Sequence, residues 1–303
     1  MIELVLNQRN NNRLVLITIM YFLITAFLFS SMEIVSKPLM KVYDPMYLTF
    51  LRFFLGLLIL LPFYMIKKKT LKNRLSVNDH LYFLLLGGLN VVLGMSLLQL
   101  SVKFTTASSA SLIFCSNPFF VAAFALFILK YKISKKEIVG IAIGLVGIFI
   151  LLMFNTQKGF SFIGGIFALM SAISFALYIV LSKKLLRNVS IIQISIFSFL
   201  YGTILFIPVL FILKTELIFP VHYFINIIYL GFIVTGFGYI CFFKTIKNIG
   251  ASSSAMIFFL KPVISLMLAF AFLKEEISIH IILAIVFLLS GAAINLLSRK
   301  REE

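Results

Sequence analysis

A lysine followed by a proline inside an apolar run offers more chemistry than any other arrangement in this chain. Lys261 and Pro262 stand in Phe258-Phe259-Leu260-Lys261-Pro262-Val263-Ile264, within an apolar run over residues 251–273. At ~1.5 Å rise per residue, Lys261 lies roughly 16 Å into that run, close to the centre of a ~30 Å hydrocarbon layer. A cation at that depth costs ~3 kcal/mol or more unless it faces a counter-charge or a watery cavity. Pro262 has no N–H, so the carbonyl of Phe258 loses its usual helical donor. A charge beside freed backbone suits a substrate or ion site; the plainer reading is a pair with a neighbouring helix.

Other polar groups fall inside apolar runs. Glu33 and Lys37 are four residues apart and share a helix face near one end of the first run. With Asp44 they read first as charges neutralising one another where a helix meets water. Arg52 lies about six residues into the second run, placed to snorkel to the interface or to bind Glu33. An anion-attracting outer vestibule made of Glu33, Lys37 and Arg52 is the functional alternative. Gln99, Tyr178 and Tyr239 read as substrate-binding groups on cavity-lining helices. Asn90, Gln193 and Asn295 are further scattered polar groups. The serines at 108–111 and 252–254 and the glycines Gly140, Gly144, Gly147 and Gly291 suit close helix packing.

Composition decides the solvent. The chain is 62% hydrophobic and 12% charged, with a mean hydropathy of +1.12. A soluble domain has no use for so much apolar surface, so the bilayer is the solvent for most of it. The net charge of +17 then reads as basic residues flanking membrane spans rather than as a nucleic-acid surface. Cys115 and Cys241 both sit in apolar runs, without disulfide or metal-ligand spacing. His80, His222 and His280 lie near run ends, and no phosphate loop, HExxH or Ser/His/Asp set appears. The chain reads as no enzyme, with no cofactor and no metal site. With Glu33 placed at the vestibule, no carboxylate is expected at mid-depth, which counts against an exporter of apolar cationic drugs driven by protons.

Ten apolar runs of spanning length position these residues: 14–36, 46–66, 81–102, 107–129, 138–154, 162–181, 191–213, 223–243, 251–273 and 277–297. A polar stretch, residues 1–13, precedes them and reads as a tail rather than a cleaved signal. Lysine and arginine fall on the two sides of this ladder in a ratio of about nineteen to six, with Arg52 and Lys261 inside spans. The positive-inside rule places both termini in the cytoplasm and the chain in the cell membrane.

The ladder also repeats. A shift of 144 residues carries Ala107-Ser108-Ser109 onto Ala251-Ser252-Ser253, Pro118 onto Pro262, Gly87 onto Gly231 and Gly94 onto Gly238. A shift of 146 carries Ser36-Lys37 onto Ser182-Lys183 and Gly56 onto Gly202. Five spans is an odd number, so the second copy starts on the opposite face and the repeats are inverted. The expected fold is all-α: ten transmembrane helices in two inverted five-helix repeats, residues 14–154 and 162–298. Such an architecture places a substrate site at mid-membrane between the repeats and works by alternating access. The repeat sets Asn117 opposite Lys261, an amide and an ammonium suited to a carboxylate or phosphate. Pro118 and Pro262 read as hinges.

Taken as a set, Thr105-Thr106-Ala107-Ser108-Ser109-Ala110-Ser111, Asn117-Pro118, their copy Gly250-Ala251-Ser252-Ser253 with Lys261-Pro262 and Leu273-Lys274-Glu275-Glu276, and Lys37, Pro45 and Arg52 resemble the drug/metabolite transporter superfamily. Within it the chain is similar to EamA-type ten-helix permeases over about residues 14–297. The resemblance implies a central cavity lined mainly by spans one, three, four, six, eight and nine. It also implies movement of small metabolites, with many relatives exporting amino acids or related compounds. The chain departs from the pattern at Lys130-Tyr131, where an acidic residue is usual, and lacks the tryptophan often found in the first span. The expected function is secondary transport of small metabolites, amino acids or other carboxylate-bearing compounds, with export favoured. The alternatives are a cationic-drug exporter and a non-transporting membrane scaffold or sensor. The partners expected are a small-molecule substrate and the lipid bilayer, with no nucleic acid; a coupling proton or ion and a homodimer stay open.

Overall fold

The structure, a computed structural model, describes residues 2–67, 75–130, 134–155, 158–186, 189–215 and 221–299. Within them, side chains are described from 14 to 66 and onward to 294, those of Ser252 and Ser253 excepted. The described residues are helical, without strands. Among the described residues, eight helices are long and apolar enough to cross a membrane: α1 from Ile2–Leu39, α2 Pro45–Lys67, α3 Val77–Phe104, α4 Ala107–Ile128, α5 Lys135–Phe154, α6 Phe162–Leu185, α7 Ile191–Ile212 and α8 Val221–Ile249. Then come α9, in pieces Ala251–Ala255 and Ile257–Leu273, and α10, Ile279–Arg299. The ten expected spans are these ten elements. α1 reaches back to Ile2, so the stretch read as a tail is helical; no glycine or proline interrupts residues 2–37. Lys68, Lys69, Lys72, Arg74, Lys132, Arg187, Lys300 and Arg301, which contribute to the charge asymmetry, lie outside the described residues, as do the side chains of Arg9, Arg13 and Asn295.

Polar caps start the helices. Ser76 with Asp79, Ser134 with Glu137 and Ser190 with Gln193 form capping boxes on α3, α5 and α7. Thr106 and Ser161 cap α4 and α6. Each supplies acceptors for orphan N–H groups that a bilayer could not satisfy. Gln193 is thereby a cap rather than a polar group inside the span.

Packing obeys the repeat. α1 packs on α8 and α9, and its counterpart α6 packs on α3 and α4; α2 packs on α8, and α7 on α3; α2 meets α7, and α5 meets α10. Exchanging each helix for the one five places along leaves this pattern unchanged, as inverted repeats require. Local geometry is doubled too. π-helical stretches run over Gly88–Met95 in α3 and Tyr229–Phe237 in α8. Lys130 and Lys274, equivalent by the 144-residue shift, both end a helix with left-handed backbone, φ 56° and 53°. The outward faces carry large apolar side chains such as Phe127, Phe211, Ile212 and Phe272, which only lipid can cover favourably.

α5 and α10 approach each other backbone to backbone. A Cβ added at Gly291 would lie 2.4 Å from the carbonyl oxygen of Gly140 and 3.0 Å from the nitrogen of Gly144. Backbone cannot yield there as a side-chain tip could. Gly291→Leu is expected to destabilise the protein by roughly 1–3 kcal/mol, the cost of overpacking, read as a lower unfolding temperature in detergent. A variant as stable as wild type would show that α5 and α10 do not meet at this distance.

Candidate functional site

Lys261 finds its counter-charge. Its Nζ makes a salt bridge and hydrogen bond to Glu33 Oε1, with the lysine 1% exposed and the glutamate fully buried. The ammonium also sits 4.6 Å from the centre of the Phe114 ring, a cation–π contact that strengthens where water is excluded. Serines bring the helices close enough for this: Ser265 Oγ donates to Ser30 O at 3.1 Å, and Ser111 Oγ to Ser265 Oγ at 2.8 Å. α1, α4 and α9 are thus tied together beside the pair.

Arg52 joins them from α2. It is fully buried, and its Nη2 donates to Met32 Sδ at 2.9 Å and to Thr235 Oγ1 at 3.4 Å. Thr235 belongs to the π-helical stretch of α8 and donates to the carbonyl of Leu230 at 2.7 Å. The Nε and Nη1 of Arg52 meet no protein acceptor, and neither does any donor meet Glu33 Oε2. Arg52 and Glu33 act on each other electrostatically, but two of the three guanidinium nitrogens keep unanswered donors. Such charged donors suit a carboxylate.

Arg52 and Lys261 line a cavity whose other walls are Phe29, Met32, Met95, Leu98, Phe114, Phe175, Val234 and Tyr239. The walls come from α1, α2, α3, α4, α6, α8 and α9, the six expected spans with α2 added. At about 10 Å³ it has room for roughly one water molecule, so the site is closed in this conformation. Tyr239 is fixed by its hydroxyl, which donates to Asn90 Oδ1 at 3.0 Å, and by Phe199 at 5.1 Å and Phe29 at 5.3 Å.

The vestibule expectation is corrected for two of its three residues. Glu33 and Arg52 lie at the centre beside Lys261, because a buried ammonium draws the carboxylate inward more strongly than Lys37 at the helix end. The expectation of no carboxylate at depth falls with it. Lys37 does stay at the helix end: its Nζ donates to Val102 O at 2.8 Å and to Thr105 O, closing the C-terminus of α3. By the repeat, Lys183 donates to Ile246 O at 3.3 Å in α8, so both ends of the molecule carry the same clasp. At the face opposite the termini, Lys37, Lys41, Lys103, Lys158 and Glu275 border a cavity of about 500 Å³. Glu275 caps α4 there, accepting from Ala107 N at 2.8 Å, Ser108 N at 3.0 Å and Ser108 Oγ at 2.5 Å.

Three other expected binding residues stand away from the cavity wall. Asn117 Nδ2 donates to the carbonyl of Phe114 at 3.0 Å. That is the oxygen left without a donor by Pro118, so the amide replaces the missing N–H. Pro118 follows a break at Cys115-Ser116, and Pro262 follows one at Met256. Gln99 Nε2 donates to Ser36 Oγ at 3.2 Å, and Tyr178 is buried between Phe175 and Phe243 at 5.7 and 6.1 Å.

Relatives agree with this architecture. The model of the EamA-like transporter family matches residues 16–153 and again 162–297. The chain belongs to the EamA-like transporter family. A protein of Clostridium kluyveri described as an uncharacterized transporter is 34% identical over 293 residues, with 93% of each chain covered. The uncharacterized transporter YoaV of Bacillus subtilis is 25% identical over 267 residues, covering 86% of this chain and 89% of its own. A crystal structure covers 94% of this chain and 99% of its own with a TM-score of 0.67 at 19% identity, which speaks to the fold alone. The protein is therefore an integral membrane protein of a transporter family.

Breaking one partner of the central pair leaves an uncompensated charge in the core. Glu33→Gln and Lys261→Met alone are each expected to destabilise by roughly 3–5 kcal/mol, whereas the double variant recovers most of that loss. Thermal unfolding in detergent measures the cycle. Additive losses would show that the two groups do not pair.

Proposed function

We propose that this EamA-family protein is a secondary transporter that moves small carboxylate-bearing metabolites, amino acids among them, across the cell membrane by alternating access. Both termini lie in the cytoplasm in this reading, and export is the favoured direction. The observation that carries it is buried Arg52, which lines a closed, aromatic-walled cavity between the repeats and whose Nε and Nη1 meet no protein acceptor. Lys261 adds positive potential beside it, while its own ammonium is held by Glu33. The walls supply apolar contact, the polar groups orientation, as small-molecule sites generally do. A cationic cargo would meet two buried cations against one carboxylate, so the drug-exporter reading is the weaker one.

Alternating access asks for a site that opens to either face, with closures at both ends. The matching clasps of Lys37 on α3 and Lys183 on α8 suit that cycle. Flux in proteoliposomes tests the proposal. Wild-type protein is expected to carry a labelled carboxylate-bearing metabolite, and Arg52→Gln to lower that flux roughly tenfold or more, as loss of a charged hydrogen bond of ~1.5–3 kcal/mol implies. Arg52→Lys should retain part of it, since charge survives but the fork does not. Equal flux in wild type and Arg52→Gln would remove Arg52 from the site. Flux of a cationic dye alone would favour the drug reading, and no flux of any cargo the scaffold reading.

A further inference from the structure

We infer that the central site is built to hold one net negative charge, and that the protein therefore works chiefly as an exchanger of monoanions. This rests on the transport site proposed above and narrows it to a charge class and a mode of coupling. Among the described residues, the buried charged side chains are Glu33, Arg52 and Lys261 at the centre and Glu137 in the capping box of α5. The central three come from different helices: Arg52 from α2 and Lys261 from α9 line one cavity, and Glu33 from α1 pairs with Lys261 behind its wall. Tyr239 of α8 lines the same space. Glu33 and Lys261 cancel within their salt bridge. Arg52 is the remainder, and its protein partners are a thioether and a hydroxyl, neither of which carries charge.

A single surplus positive charge ranks cargoes by arithmetic. A monoanion leaves the filled site neutral. A zwitterion leaves one positive charge over, a dianion one negative charge over, and in a closed apolar cavity either remainder costs heavily. The same arithmetic constrains the return step. A carrier must close over its site before reopening to the other face, and the closed cavity here holds about 10 Å³, too little for the several waters that would solvate a guanidinium. Closing without an anion buries Arg52 with two donors unanswered; closing around an anion, in a cavity widened by its volume, does not. Reorientation of the loaded protein is then faster than that of the unloaded protein, and the cargo on one side speeds exit of cargo from the other. Apart from the cargo itself, no coupling ion is needed for this behaviour.

The test uses wild-type protein in liposomes loaded in turn with labelled glutamate, pyruvate or gluconate, each a monoanion at neutral pH, and with leucine as zwitterion and succinate as dianion. At least one monoanion is expected to be carried, faster than leucine and succinate. Its efflux should rise at least about tenfold when the same unlabelled monoanion is present outside, the size of effect expected for sparing a buried unpaired cation. Arg52→Lys should keep this acceleration, and Arg52→Gln should bring the ratio close to one. Should Arg52→Gln not fold, the wild-type ratio decides alone. Carried monoanion whose efflux ignores the outside anion overturns the exchange, and leucine or succinate carried as fast overturns the charge rule. In either of those cases a flux that still depends on Arg52 leaves the proposed carboxylate transport standing. Absence of flux for all five compounds overturns both.

Discussion

A buried ammonium held by a buried carboxylate, with a guanidinium beside them, is the constraint around which the rest of this molecule is arranged. Placing Lys261 and Glu33 out of water costs each several kcal/mol of hydration, and their attraction returns that only when geometry is tight. The helices that carry them must therefore be held at close range. Small residues do this: Ser30, Ser111 and Ser265 link α1, α4 and α9 through hydrogen bonds of 2.8–3.1 Å, and each brings little bulk between the backbones. Phe114 closes over the ammonium at 4.6 Å. The pair is costly as a source of stability and sensible as a fixture that holds a neighbouring cation and a cavity in register.

Backbone irregularities serve the same centre. Pro118 and Pro262 remove donors, and π-helical turns in α3 and α8 shift side chains from the register an unbroken helix would give. In α8 that shift puts Thr235 against Arg52 and Tyr239 against Asn90. In lipid each freed carbonyl needs a local answer, and the side chain of Asn117 supplies one at Phe114 O. What reads along the sequence as a polar centre facing Lys261 is, on one side of the repeat, a repair of the backbone.

Span number, inverted repeat and packing glycines were legible because each leaves a periodic trace: runs of apolar residues, loops alternating in charge, and Pro, Gly and Ser-Lys recurring at shifts of 144 and 146. Lys261 was legible because a cation in an apolar run demands a counter-charge or a watery cavity. Its partner was not, though the signal was present. Of the ten acidic residues, Glu33 stands alone well inside an apolar run, and a buried cation calls for an anion before it calls for a ligand. Local spacing, Glu33 to Lys37 at i, i+4, competed with that long-range demand and suggested a surface pair. The fork of Arg52 escaped for a related reason: distance along a helix from its end measures depth but not which way a side chain turns. The aromatic walls, Phe29, Phe114 and Phe175, escaped because thirty-five phenylalanines leave no contrast by which to pick three.

The repeat matters most where it fails. By the two shifts, Glu33 falls opposite Ile179, Arg52 opposite Ser198 and Lys261 opposite Asn117, so no charge of the centre is doubled in an otherwise doubled frame. The frame keeps its symmetry in the parts that close the molecule: the lysine clasps on α3 and α8, the left-handed turns at Lys130 and Lys274, and the π-helical stretches. Two similar closures can have similar free energies, which alternating access needs, because an opening strongly favoured at one end would trap the carrier there. One asymmetric centre gives a single binding polarity, which cargo with a charged end needs. Glu275 breaks the symmetry of the closures themselves, fastening the end opposite the termini with three hydrogen bonds onto α4, while position 131, its counterpart, is a tyrosine. A carboxylate at a helix N-terminus is favoured by both the orphan N–H groups and the helix dipole. Added to the Lys37 clasp, such a cap would favour closure at that end in the proposed cycle.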